Sequence, residues 1–208
     1  MSTAEHPMET LEQYVPAGSY EQLVHYLHRY KVHLTVTKAR KSVLGDYRHP
    51  FHGKNHRITI NGNLNQYEFI ITLLHELAHL LTFERFGNRT EVHGREWKET
   101  YSQLLTDFVA LNIFPADVEK ALKKSIANPA ATANGETELL IVLRQYDTHK
   151  KPGVTMVQEL PVGSAFETRD GRVFTKGDQL RKRFRCVEMK TGHVYLFSPV
   201  YEVRLIPT

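Results

Sequence analysis

The chain has 208 residues, 41% of them hydrophobic and 24% charged, so it can bury a sizeable core as one domain or as one domain with a small appendage. No apolar run approaches the roughly 18 residues that cross a bilayer, and the start "MSTAEHPMETLEQYV" lacks the basic and apolar regions of a secretory signal, so a membrane span and a signal peptide are not expected. The single cysteine, Cys186, excludes an internal disulfide and a cysteine-only zinc site and fits a reducing cytoplasm, while the net charge of +4 permits nucleic-acid contact without requiring it.

In chain order, "ETLEQYV" and "SYEQLVHYLHRYK" read as helical, with Leu23, Tyr26, Leu27 and Tyr30 forming one apolar stripe. "VHLTVTK" alternates as a strand does, placing Val32, Leu34 and Val36 on one side. "SVLGDYRHP" reads as a second strand and "HRITINGNL" as a third, with Ile58 and Ile60 inward and Asn61-Gly62 as turn residues. Asn65 is a fitting N-cap, with Glu68 three residues on, for a helix over 66–86 that Gly87-Asn88 stops. A further helix is expected over 95–111 and a short one from Pro115. Residues 128–137, "NPAATANGET", have the composition of a linker. Beyond it "LLIVLRQY", "SAFETRD", "RVFTKG", "RFRCVEM" and "HVYLFS" read as short strands separated by turns such as Asp170-Gly171 and Thr191-Gly192. The expected organisation is a first domain over 1–127, a linker over 128–137 and a small all-β unit over 138–208.

The chemistry concentrates in "LLHELAHLLTFERFGNRTEVHGREW", residues 73–97. On a helix, His75 and His79 leave the same face one turn apart and can bind one tetrahedral zinc ion. Glu76 sits one step round, out of easy reach of that ion but able to face a water beside it; two ligands and a general base are the mechanical content of H-E-x-x-H. The surrounding helix is apolar nearly all round, and buried polar groups must be paired or ligate something. The competing expectation is two core histidines satisfied by backbone carbonyls and a Glu76 paired with an arginine. The metzincin pattern fails, because Thr82 and Arg85 stand where it needs glycine and histidine. The third ligand is then His93 or, in a gluzincin-like arrangement, Glu99 or Glu96; His93 is favoured because imidazole is the commonest ligand type and Gly94 permits close backbone approach. Glu96 and Glu99 otherwise belong to a solvated helix face, and Trp97 to the packing. Tyr47 and Tyr101 are candidate oxyanion stabilisers, with core or surface tyrosine the plainer expectation for each.

"HELAH" at 75–79, "HGREW" at 93–97, and the upstream "SVLGDY" and "RITINGNL" resemble the SprT-like family of zinc metallopeptidases, which includes the Spartan-type DNA–protein crosslink proteases. The resemblance covers roughly residues 10 to 125. It implies an α+β fold, with a zincin-like core of helices and a small three-stranded sheet followed by the all-β unit. It also implies one catalytic Zn2+ held by His75, His79 and His93, Glu76 as catalytic glutamate, and hydrolysis of peptide bonds in protein substrates, among them nucleic-acid-associated proteins. A substrate chain is expected to add as a strand beside an exposed sheet edge near 42–48. The tail departs from the family: "RFRCVEMKTGHVYLF" looks like the second half of a zinc ribbon, but only Cys186 remains of its cysteines. In that tail Arg181, Lys182, Arg183 and Arg185, with Phe184 among them, are suited to touch phosphates and stack on bases, against the alternative of a strand with one basic solvated face. A different class of function also fits these residues: a nucleic-acid-binding or stress-regulatory protein whose zinc supports no peptidase turnover.

Overall fold

The computed structural model describes residues 8–40, 43–130, 137–148 and 152–206. Of the segments discussed above, residues 1–7, Ser42, positions 131–136 of the expected linker and positions 149–151 lie outside the described residues. The chain divides into two compact units, Met1–Asp147 and Thr148–Thr208.

The first unit is α+β. A 3-10 helix, Met8–Tyr14, precedes α1 (Tyr20–Arg29), β1 (His33–Thr37), β2 (Gly45–Arg48) and β3 (Arg57–Asn61); then come α2 (Gln66–Phe86), α3 (Arg95–Val109), α4 (Ala116–Ala127) and α5 (Thr137–Leu143). The strands form one sheet in the order β1-β3-β2, with β1 parallel and β2 antiparallel to β3, so β2 is an edge. Ile58 and Ile60 of β3 are fully buried, as their alternation requires.

α2 is the centre of this unit. The Asn65 side chain accepts from the Tyr67 and Glu68 N–H groups at 3.1 and 3.0 Å, and Gly87 ends the helix at φ 64°, a conformation that favours glycine. Phe69, Ile70, Leu73, Leu74, Leu77, Ala78 and Leu80 are all fully buried, so both sides of the helix are covered, by β2 and β3 and by α3. A helix with no apolar stripe to choose between faces goes inside.

One expectation is overturned. "LLIVLRQY" is not a strand: it forms α5 and a 3-10 turn, Arg144–Tyr146. Leu139 and Leu143 recur at helical spacing and bury in the first unit's core, Leu140 beside them is buried as well, and α5 packs on α4. A short apolar run is compatible with either state, and here packing decides it. Residues 138–147 therefore fall in the first unit rather than in the small β unit expected from 138.

The second unit is a six-stranded antiparallel sheet, β4 (Val154–Met156), β5 (Ala165–Glu167), β6 (Val173–Leu180), β7 (Arg183–Glu188), β8 (Val194–Phe197) and β9 (Glu202–Leu205), in the order β4-β9-β5-β6-β7-β8. β4 and β9 were not among the expected strands. Its core holds Val157, Leu160, Phe166, Phe174, Cys186, Phe197 and Val203, with Phe166, Phe174 and Phe197 packed on one another at centroid distances of 4.9 to 5.7 Å. The ammonium of Lys176 is buried among them. It donates to the carbonyls of Gln158, at 3.1 Å, and Leu160, and lies 4.1 Å from the centroid of the Phe184 ring.

Candidate metal centre

His75 and His79 project from the middle of α2, and His93 from the turn that leads into α3. Their Nε2 atoms converge: His75 to His79 is 3.3 Å and His75 to His93 is 3.3 Å. Among the described residues these three form the one group of His, Cys, Asp or Glu side chains whose ligand atoms all lie within 4.8 Å of one another. A tetrahedral ion with Zn–N bonds of about 2.0–2.1 Å holds its ligand atoms about 3.3–3.4 Å apart, so this donor set fits zinc.

Hydrogen bonding within the trio is a poor substitute. His75 Nε2 has two nitrogen neighbours and can serve only one of them well. Among the described residues the three imidazoles make no hydrogen bond to a backbone carbonyl. Burial, with His79 and His93 adding to it, pushes His75 down to about 3; burial, then His93, pushes His79 down to about 4; burial lowers His93. All three are neutral near pH 7, the state in which imidazole ligates a metal.

Glu76 lies on the β2 side of α2 and is 7% exposed. Burial, then the Asp46 charge, pushes its carboxyl up to about 8, opposed by the Arg40 charge and by the Tyr47 main-chain N–H donating to it. The arginine partner that a purely structural role would need is otherwise engaged. Arg40 donates to Asn61 Oδ1 at 2.8 Å, Thr59 Oγ1 at 2.9 Å and the Thr59 carbonyl at 3.2 Å, which braces the segment leading into β2. β2 can come this close only because residue 45 is glycine. A Cβ there would stand 2.7 Å from Glu76 Oε1 and 2.9 Å from both Glu76 Cγ and Thr72 Cγ2.

Tyr47 reaches across the site. Its ring is parallel, within 5°, to that of His79 at a centroid distance of 6.4 Å, and its hydroxyl is 3.0 Å from His56 Nδ1. His56 Nε2 is 3.2 Å from Glu84 Oε1. A carboxylate can only accept, so Nε2 carries the proton, Nδ1 accepts, and the Tyr47 hydroxyl donates to His56. Burial lowers the His56 pKa and raises that of Tyr47, which keeps both neutral. With its proton so committed, Tyr47 is not set to donate to an oxyanion. Tyr101 is buried, stacked on Trp97 at 5.0 Å. The alternative third ligands point elsewhere: Glu99 pairs with Arg95 at 2.7 Å on the exposed face of α3, and Glu96 is not in the cluster.

Residues 6–118, more than half of the chain, match the SprT-like family model. The chain belongs to the SprT-like family. It matches no curated protein and no solved structure. Membership suggests a metallopeptidase-like function and a zinc-associated site, and the three-histidine cluster lies inside the matched region. Sequence reasoning missed how much this SprT-like site owes to its surroundings: Gly45, Arg40 and the His56–Glu84 pair. The glycine in "SVLGDY" was the one available signal.

Far from this centre in sequence, the β6–β7 hairpin turns at Arg181, whose φ is 53°, and Lys182. Arg181, Lys182, Arg183 and Arg185 are all exposed. The expectation of base stacking on Phe184 is weakened, because that half-buried ring already carries the Lys176 ammonium on one face. No helix among the described residues is long and apolar enough to cross a membrane.

Proposed function

We propose that this SprT-like protein is a zinc-dependent endopeptidase with a zincin-like core, in which His75, His79 and His93 hold one zinc ion and Glu76 is the catalytic carboxylate. The observation that carries the proposal is the convergence of three neutral imidazoles, with His75 Nε2 3.3 Å from the Nε2 atoms of both His79 and His93, beside a buried glutamate whose hydrogen-bond donor is the Tyr47 main-chain N–H. Zinc, when bound, polarises a carbonyl and lowers the pKa of water toward about 7. Burial raises the Glu76 pKa, and the positive charge of a bound cation would oppose that and favour the carboxylate; ionised, Glu76 accepts the proton of the attacking water and hands it to the amine that leaves as the C–N bond breaks. The Tyr47 N–H holds this carboxylate in place meanwhile.

The strand register supports an extended protein substrate. Leu44 pairs with β3 through the Asn61 N–H at 2.9 Å, so Asp46 and Arg48 also face β3, and the main-chain groups of Gly45 and Tyr47 face the free edge. Apart from the Tyr47 N–H, these groups are suited to pair with an added peptide strand. A cytoplasmic setting is part of the proposal.

The test has two arms. Purified protein is expected to contain about one zinc per chain, and none after His75→Ala with His79→Ala; metal-free wild type would end the proposal. Glu76→Gln is expected to keep the zinc and lose protein cleavage by about 10²–10⁴-fold. Unchanged turnover would remove Glu76 from its role, whereas zinc without turnover in the wild type itself would favour a binding or regulatory protein.

The four exposed cations of the β6–β7 hairpin support a second partner, nucleic acid, held through phosphates without sequence preference. DNA binding is expected to weaken with salt and with Arg181→Ala and Arg183→Ala. An absence of binding at low salt returns the hairpin to a solvated face.

A further inference from the structure

Metal-binding histidines are ordinarily oriented by a hydrogen bond from the second ring nitrogen to a carboxylate, a carbonyl or water. Here, among the described residues, the only hydrogen-bond-range contacts of His75, His79 and His93 are to one another. No carboxylate or backbone carbonyl among the described residues orients them, so the support that the protein itself supplies to the ring planes is packing. One side chain touches all three. The Trp97 indole lies at centroid distances of 4.7 Å from His75, 5.3 Å from His79 and 4.6 Å from His93, meeting them at 62°, 31° and 87°. It is fully buried, and Tyr101, one turn further along α3, stacks on it at 5.0 Å and also meets His75 edge-on at 5.5 Å.

We propose that Trp97 is the positioning residue of the three-histidine centre, holding the imidazoles converged before any ion arrives. The proposal rests on the zinc assignment above but makes a separate claim, that aromatic packing does here what hydrogen bonds to the outer ring nitrogens do elsewhere. The indole N–H supports it. That atom is buried and has no hydrogen-bond partner among the described residues. Phenylalanine would fill most of the same space without stranding a donor, so the core alone gives no reason for tryptophan. The bicyclic ring does: it is broad enough to span rings contributed by two positions on α2 and by the turn before α3, and a single six-membered ring is not. Edge-to-face and tilted contacts of this kind are also directional, so they fix orientation as well as position.

The test reads metal affinity and fold separately, on the full chain. Zinc dissociation constants from competition with a chromophoric chelator are expected to rise about tenfold in Trp97→Phe and about 100-fold in Trp97→Leu, the range seen when outer supports of metal ligands are lost. Far-UV circular dichroism and the melting temperature in EDTA report the fold. Affinities within threefold of wild type in both folded variants would overturn the proposal. Should the variants unfold, the metal-free wild type decides it by NMR. The imidazole carbon-bound protons of His75, His79 and His93 are expected to be sharp and displaced by the indole ring current. Averaged, undisplaced resonances overturn the proposal. Wild type that binds no zinc sinks the zinc assignment and leaves this NMR result standing on its own.

Discussion

Each unit of this SprT-like protein withdraws nitrogen-bearing side chains from solvent, Lys176 fully and the three histidines partly, and the two units do so in opposite ways. In the second unit the Lys176 ammonium is closed: two carbonyls accept from it and an aromatic face covers it. In the first, His75 Nε2 lies 3.3 Å from the Nε2 atoms of both His79 and His93, and the three imidazoles have no other hydrogen-bond partner among the described residues. A closed arrangement needs nothing further and is structural. An open one has donor atoms left over, aimed at a common point, and asks for a ligand. The contrast is the physical reason for proposing a metal site between α2 and the turn before α3 and for assigning Lys176 to the fold.

The largest expected effect follows from emptying the open site. In metal-free protein, His75 and His79 stay neutral down to about 3 and about 4, whereas in the unfolded chain they take up protons below about 6.5. Their contribution to stability is therefore complete above pH 6.5 and lost as pH falls. Glu76, raised to about 8, acts in the other sense, its contribution being lost as pH rises from about 4.5 to 8. Two imidazoles outweigh one carboxyl, leaving about one net proton below pH 6, hence a loss of about 1.4 kcal/mol per pH unit and about 3 kcal/mol by pH 4. Urea unfolding of EDTA-treated protein from pH 8 to pH 4 should show a maximum near pH 6–7. A flat profile would mean that the imidazoles are not held neutral, and the contrast with Lys176 would fail.

The next effect, on turnover, tests whether the open site is assembled from outside α2. Gly45→Ala puts a methyl group 2.7 Å from Glu76 Oε1, so β2 or the carboxylate must move. Zinc content should stay at one per chain, because the ligands lie on other residues. Turnover should fall about 100-fold, equivalent to about 2.7 kcal/mol in the barrier. A decrease under threefold would show that β2 does not hold the base.

These effects also mark how far the sequence could be read. α2, its Asn65 cap and its Gly87 stop were legible because local signals coincided: cap chemistry, an apolar run too long for a strand, and a glycine at the end. His75, Glu76 and His79 followed from spacing on that helix, and His93 from the glycine beside it. Gly45, Arg40 and the Tyr47–His56–Glu84 chain were not legible, because their roles depend on a strand register and on a helix more than 25 residues away in the chain. α5 was misread for a related reason: "LLIVL" carries no signal of its own that separates strand from helix, and its packing partner α4 lies across the linker.

The smallest expected effect probes the closed side of the comparison. Lys176→Met keeps the length and the apolar stem of the side chain but removes the donor, leaving the Gln158 and Leu160 carbonyls unserved by it. Losing these partners costs about 1–3 kcal/mol, partly offset because a buried ammonium is itself disfavoured, which is why burial lowers its pKa. The net expectation is a loss of about 1–2 kcal/mol, read as a lower denaturation midpoint for the second unit, with zinc still at one per chain. If stability instead rises, the ammonium was a burden rather than a brace. A buried, hydrogen-bonded cation could then no longer be taken as structural by default, and the second unit would need a reason of its own for keeping Lys176.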